Sequence, residues 1–68
     1  MSRTEITLTE YMDPANGWSH HRSVLSRESA LWYIERMAES WAEYAIVNRG
    51  AYFTIAHREI DRIEEVTP

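Results

Sequence analysis

Hydrophobic and polar residues alternate over residues 5–12, near the start of the chain. In an extended segment, Ile6 and Leu8 fall on one face, while Thr7 and Thr9 fall on the other. Because β-branched and aromatic residues recur here with a period of two, the pattern predicts a half-buried β-strand. We expect this strand to end at residues 13–17, which read Asp-Pro-Ala-Asn-Gly and combine several turn-forming residues.

The next segment, residues 18–25, has two interpretations. In the first, it is a strand in which Trp18, His20, Arg22 and Val24 share one face, and it forms a hairpin with the first strand. In the second, it is an ordered loop. The alternation of its side chains favours the strand.

A helix is indicated by the pattern that follows. Ser26 can act as the N-cap, because its hydroxyl accepts an amide hydrogen of the first turn, and Glu28 suits the positive end of the helix dipole. Apolar residues then recur at spacings of 4, 3 and 4, flanked by two more: Ala30, Ile34, Met37 and Trp41, with Leu31 and Ala38. This spacing places them on one side of a helix at about 100° per residue. The sequence therefore predicts a helix over residues 27–42.

Two further strands are predicted over residues 43–47 and 51–56, which are rich in Tyr, Ile, Val and Phe. Between them, residues 48–50 form a three-residue hairpin loop in which Gly50 takes a positive φ. The last segment, residues 57–66, has two interpretations: a helical turn, because Ile60, Ile63 and Val66 are three residues apart, or a continuation of the sheet over residues 62–66. The predicted fold class is α+β, with one helix packed on a small antiparallel sheet of three to four strands, in a single domain over residues 1–68.

A chain of 68 residues without cysteine has a thin core and no disulfide to support it. The periodicity of the predicted helix and strands selects the residues that we expect in this core. They are Ile6, Leu8, Leu31, Ile34, Met37, Trp41, Ile46, Phe53 and Ile55.

The charge of the chain restricts its partners. Eleven acidic residues and seven arginines leave a formal net charge of −4, and there is no lysine. A nucleic-acid-binding protein has a basic surface, which this composition does not provide, and anionic lipid surfaces would repel the chain. Its field instead favours a protein partner with a positively charged surface. Since no apolar run is long enough to cross a membrane, we expect a soluble, cytoplasmic protein.

Three carboxylates and an indole share one face of the predicted helix. Taking Glu28 as the reference, Trp32, Glu35 and Glu39 lie within about 40° of it at about 100° per residue. Charged residues are common on helix surfaces, but a large aromatic residue on such a face usually has a covering partner. We therefore treat this acidic stripe as a candidate partner-binding site.

Further acidic residues could belong to the same kind of surface. They are Glu5, Glu10 and Asp13 in the predicted first strand and at its exit, and Glu59, Asp61, Glu64 and Glu65 near the end of the chain. Carboxylates spaced across a rigid surface can resemble the phosphates of a DNA duplex. A scattered, solvated acidic surface is the simpler alternative.

The sequence gives no pattern typical of a metal site or of catalysis. His20 and His21 are adjacent, so on a strand they point to opposite faces, and His57 is distant in the sequence. Although Ser19 and Ser23 are near these histidines, nothing in the sequence provides an orienting acid or an oxyanion hole. The chain has only two glycines and no glycine-rich phosphate loop. We expect neither an enzyme nor a bound metal or cofactor.

In length, acidity and predicted element order, residues 2–68 resemble the small inhibitors carried by phages and mobile elements. Among these inhibitors, the chain is most similar to anti-CRISPR proteins that act on type I surveillance complexes, with type I-C as a candidate subtype. The resemblance implies action in the cytoplasm of a host bacterium. It also implies a target with a basic DNA-binding channel, which some members of the class block as DNA mimics. These families share no diagnostic motif, so the resemblance assigns no residue a role.

Two hypotheses of function follow. In the first, the protein is an inhibitor that occupies a basic, nucleic-acid-binding surface of a CRISPR effector complex. In the second, it is a small regulatory or antitoxin-like domain whose target does not bind nucleic acid. We expect a monomer rather than a homodimer, because the acidic stripe would face its own copy across a two-fold axis.

Overall fold

The computed structural model of the protein describes residues 5–60. Its elements in chain order are β1 (Glu5–Ile6), α1 (Leu8–Met12), a 3-10 turn (Pro14–Asn16), β2 (Ser19–Val24), α2 (Arg27–Met37), β3 (Ala42–Asn48) and β4 (Phe53–Glu59). The chain has the predicted α+β fold, in which one main helix packs on a four-stranded sheet.

The strands lie in the order β1-β3-β4-β2. β4 is antiparallel to both of its neighbours, whereas β1 runs parallel to β3, so the sheet is mixed rather than purely antiparallel. The expected hairpin between the first two strands is wrong, because β1 and β2 lie at opposite edges of the sheet. β4 extends to Glu59, so residues 57–59 belong to the sheet, whereas residues 62–66, for which a continuation of the sheet is one interpretation, lie outside the described part.

The predicted strand over residues 5–12 is wrong after its second residue. Residues 8–12 form α1, and Thr7 is its N-cap, since the Thr7 hydroxyl accepts a hydrogen bond of 3.0 Å from the Glu10 amide. Thr7 and Glu10 have the spacing of a capping box, which favours a helix start. This local cap prevails over the alternating pattern, and it leaves Leu8 exposed.

Both predicted turns are present. Asp13 caps the 3-10 turn by accepting a 2.9 Å hydrogen bond from the Ala15 amide, and Gly17 ends it with a φ of 76°. In the β3–β4 hairpin, Gly50 takes the expected positive φ, at 98°. However, Asn48 pairs with Phe53, so the loop comprises residues 49–52 rather than residues 48–50.

α2 begins where the sequence predicts and ends earlier. The Ser26 hydroxyl accepts a 3.1 Å hydrogen bond from the Ser29 amide, which confirms Ser26 as the N-cap. The helix ends at Met37 rather than at residue 42, because Ala38 is extended and Ala42 already pairs with Glu59 in the sheet. Pairing with a strand distant in sequence therefore decides where this helix stops.

The main core lies between α2 and one face of the sheet. Its buried residues are Ala30, Ala42, Tyr44, Ile46 and Ile55, and Val24, Leu31, Tyr33, Ile34 and Phe53 pack against them while partly exposed. A smaller core on the opposite face contains Ile6, Ala45, Val47 and Ala56, which Tyr11 and Trp18 partly cover. The sheet is therefore covered on both faces, by α2 on one side and by residues 7–18 on the other.

Six of the nine residues predicted for the core are buried or partly buried, and the other three are exposed. Ile6, Ile46 and Ile55 are buried, and Leu31, Ile34 and Phe53 are partly buried against the main core. By contrast, Leu8, Met37 and Trp41 are exposed, with exposed fractions of 52% for Met37 and 48% for Trp41. Met37 occupies the last position of α2 and Trp41 lies beyond it, so the helical spacing that selected them does not apply.

Arg58 fixes the 3-10 turn to the sheet. Its Nε donates a 2.8 Å hydrogen bond to Glu43 Oε1, and its Nη1 donates one of 2.6 Å to the carbonyl of Asn16. Its guanidinium carbon also lies 4.2 Å from the centre of the Trp18 ring. One arginine thus joins β3, β4 and the segment before β2.

Neither helix in the described part of the chain has the length and apolar character that crossing a membrane requires.

Candidate protein-binding surface

α2 turns one side to the sheet and the other to solvent. Ala30 is fully buried, and Ile34 packs against the same core. At about 100° per residue, Trp32 lies about 160° around the helix from each of them. Its exposed fraction is 56%. We define the outer face of α2 as Glu28, Ser29, Trp32, Glu35 and Arg36.

Trp32 lies at the centre of this face, and its neighbours differ between the helical turn before it and the helical turn after it. Toward the C-terminal end of α2, the guanidinium carbon of Arg36 lies 5.1 Å from the centre of the Trp32 ring, a typical cation–π distance. Toward the N-terminal end, Glu28, Ser29 and Trp32 line an open recess. The indole therefore has a cation at one end and an acidic recess at the other.

The carboxylates of the outer face are unpaired within the described chain. Two other glutamates are engaged, since Glu5 pairs with Arg27 at 2.7 Å and Glu43 pairs with Arg58 at 2.8 Å. No ion pair or side-chain hydrogen bond within residues 5–60 engages the carboxylate of Glu28 or that of Glu35. These two carboxylates can therefore pair with a partner without breaking an existing contact.

The structure removes Glu39 from the predicted stripe. Because α2 ends at Met37, Glu39 lies in the connection to β3 instead of on the helix. Its backbone amide donates a 3.4 Å hydrogen bond to the Tyr44 hydroxyl, and its side chain is exposed. Of the predicted stripe, only Glu28, Trp32 and Glu35 share one helix face.

The remaining predicted acidic residues belong to other parts of the molecule. Glu10 lies in α1 and Asp13 caps the 3-10 turn, on the side of the sheet opposite to α2. Glu59 is exposed at the end of β4. Asp61, Glu64 and Glu65 lie outside the described residues. The described carboxylates thus do not form one continuous surface.

The structure also brings together a cluster that the sequence does not predict. His21 Nε2 and the Tyr33 hydroxyl are 2.9 Å apart, and the ring centres of His21 and His57 are 4.6 Å apart. The Tyr44 ring lies edge-on to His21 at 5.5 Å. Burial lowers the pKa of His21 below its ordinary value, and coulombic interactions with His57, Arg22 and His20 lower it further.

A β-bulge explains why the sequence pattern missed this cluster. His20 pairs with Ala56 and Arg22 pairs with the preceding residue of β4, Ile55, so His21 is an extra residue in β2. Strict alternation would place His20 and Arg22 on one face, whereas the bulge turns His21 and Arg22 toward Tyr33 of α2. Among residues 5–60, no group of three or more histidine, aspartate or glutamate side chains is placed to hold a metal ion.

Comparisons of the chain with protein-family models, with curated proteins and with solved structures found no match.

Proposed function

We propose that this protein is a small inhibitor that binds a basic surface of another protein through the outer face of α2. The observation that carries the proposal is Trp32, which is 56% exposed on the side of α2 opposite to the core. The carboxylates of Glu28 and Glu35, which form no ion pair with any of the described residues, lie on the same face. An indole and two available carboxylates offer both apolar contact and charge to a partner.

These residues would contribute to binding in different ways. Aromatic residues at the centre of an interface often dominate its affinity, because a partner buries their large apolar surface in a pocket. Carboxylates around the centre mainly raise the association rate with a basic partner. The net charge of −4 adds a long-range attraction between the protein and a basic partner.

The target class that we propose is a nucleic-acid-binding surface of a CRISPR effector complex. Such a surface is basic because it binds phosphates, so it complements an acidic protein. Support for this particular target comes from the resemblance of the chain, in length and acidity, to phage inhibitors of type I complexes. Occupation of the channel by the outer face of α2 would exclude DNA by competition, without catalysis.

A charge-reversal experiment tests the proposal. The double variant E28K/E35K changes the formal net charge from −4 to 0 and leaves the buried face of α2 unchanged. The control E39K/E59K makes the same change in charge at two exposed glutamates outside the outer face. DNA binding by a purified type I-C effector complex is measured by gel shift with each protein as competitor. Circular dichroism verifies that both variants are folded.

We expect the concentration of E28K/E35K that half-inhibits DNA binding to be at least about tenfold higher than that of the parent, mainly because the variant associates more slowly with the target. The control should remain close to the parent. Equal loss in both variants would show that only overall charge matters, and full inhibition by E28K/E35K would contradict the proposed face. Binding that does not weaken with salt would favour the small regulatory or antitoxin-like domain, since an apolar interface is not screened.

A further inference from the structure

We propose that the recess between Glu28 and Trp32 binds an arginine side chain of the partner. The inference rests on the proposed function for its biological setting, since it names the group that the outer face of α2 recognises. Its physical basis lies in the recess itself, which Glu28, Ser29 and Trp32 line. These residues bring together a carboxylate, an indole and a hydroxyl, and the Ser29 hydroxyl already accepts one hydrogen bond, of 3.0 Å, from the Ser26 hydroxyl. A guanidinium group can stack on the indole and donate hydrogen bonds to the two oxygen-bearing groups.

The protein already contains this arrangement with an arginine in place. On the other side of the sheet, Arg58 lies 4.2 Å from the centre of the Trp18 ring while its Nε donates a hydrogen bond to Glu43. The recess on α2 presents the same two groups, an indole and a glutamate carboxylate. Among residues 5–60, however, no arginine pairs with that carboxylate. The recess can therefore offer a guanidinium group the same two kinds of contact that Arg58 makes.

Arg36 is not part of this recess. It lies one turn after Trp32, whereas Glu28 and Ser29 lie one turn before it, and it is not among the residues that line the recess. Its contact at 5.1 Å shows that the Trp32 ring itself accepts a guanidinium group. A second arginine, supplied by the partner, can therefore enter the recess and pair with Glu28.

Arginine suits this recess better than lysine does. The guanidinium group is planar, so it stacks on an aromatic face while its N–H groups point outward to a carboxylate. It is also less strongly hydrated than an ammonium group, so placing it against an indole costs less solvation. The outer face of α2 would thus distinguish an arginine-bearing surface from a lysine-bearing one of equal charge.

The experiment compares two short peptides of equal charge. Acetylated and amidated Gly-Arg-Gly-Arg-Gly and Gly-Lys-Gly-Lys-Gly are titrated into the ¹⁵N-labelled full chain. The indole N–H signal of Trp32 is followed by NMR after its assignment with Trp32→Phe. The variants are Glu28→Gln and Trp32→Ala. The matched control is Glu59→Gln, which removes an exposed carboxylate from β4.

We expect the arginine peptide to shift the Trp32 signal with an affinity roughly threefold to tenfold higher than that of the lysine peptide. Glu28→Gln should remove most of this preference. In Trp32→Ala, the peptide should no longer change the chemical shifts of the backbone amides that line the recess. In Glu59→Gln, the peptide should change them as it does in the parent. Equal affinity of the two peptides would overturn the inference, as would shifts centred elsewhere or no binding.

The outcomes also separate this inference from the proposed function. If the peptides bind equally but E28K/E35K loses inhibition, the outer face is the binding surface and the arginine preference is wrong. If the arginine peptide is preferred but E28K/E35K still inhibits, the recess is real and the proposed function is wrong.

Discussion

The ring of His21 in β2 lies 4.6 Å from the ring of His57 in β4, with an angle of 43° between the two planes. Within residues 5–60, no carboxylate is among the groups that contact the two rings or lower the pKa of His21. Those groups are His20 and Arg22 from β2, Tyr44 from β3 and Tyr33 from α2. Protonation of His21 would therefore place a positive charge beside other basic groups, with no carboxylate among these neighbours to offset it.

This pair predicts that stability falls in mild acid. Burial and neighbouring positive charges lower the pKa of His21 in the folded protein below its ordinary value of 6.5. The unfolded chain then binds the proton more tightly, so the contribution of His21 to stability is fully present above pH 6.5 and is lost as the pH falls through the lowered pKa.

Urea denaturation at a series of pH values between about 7.5 and 4.5 checks this prediction. His21→Gln should flatten the decline below pH 6.5. His20→Gln is the comparison variant and should flatten the decline much less, because His20 is exposed and makes the smallest of the contributions that lower the pKa of His21. If His21→Gln and the parent decline equally, another group is responsible for the acid sensitivity.

Truncation of the sheet core should be far more damaging than truncation at the end of α2. Ile46 is fully buried, so Ile46→Ala should reduce the free energy of unfolding by about 2–5 kcal/mol. Because a domain of this size has a total stability of roughly 3–10 kcal/mol, much of the variant should be unfolded. Met37 is 52% exposed, and Met37→Ala should change stability by less than about 1 kcal/mol. Thermal melts of both variants check this contrast, and a large loss in Met37→Ala would show that α2 packs further along its length.

Arg58 should contribute more to stability than Arg27 does. Arg58→Met removes two hydrogen bonds and the contact with Trp18, so we expect a loss of about 1–3 kcal/mol and a change in the near-ultraviolet circular dichroism. Arg27→Met removes only the exposed ion pair with Glu5, which is worth about 0–1 kcal/mol. Urea denaturation ranks the two variants. Equal losses would mean that the 3-10 turn does not depend on Arg58.

Trp32→Ala should separate binding from folding. Since Trp32 points away from the core, its truncation should change the free energy of unfolding by no more than about 0.5 kcal/mol. Dissociation from the target should become about tenfold faster or more, as expected for an aromatic residue at the centre of an interface. Surface plasmon resonance measures the two rate constants, with Met37→Ala as the control at another exposed apolar residue of α2. Unchanged dissociation would exclude Trp32 from the interface.

Several features of this protein follow from its sequence alone, because their causes are local. Ser26 caps α2 through the amide of Ser29, only three residues away. The glycine at position 50 permits the positive φ that the hairpin requires. Helical periodicity over one short segment places Glu28, Trp32 and Glu35 on one face, so the centre of the proposed binding surface could be predicted without knowledge of the fold.

Other features depend on residues that are distant in sequence, and only the tertiary structure decides them. α2 stops at Met37 because Ala42 pairs with Glu59, and this removes Glu39 from the helix. The bulge at His21 turns its ring toward His57, 36 positions along the chain, since β2 must match the register of β4. β1 pairs parallel with β3, across four intervening elements. A pattern of single residues carries no information on such pairings, because their free energy comes from contacts that exist only after the strands have met.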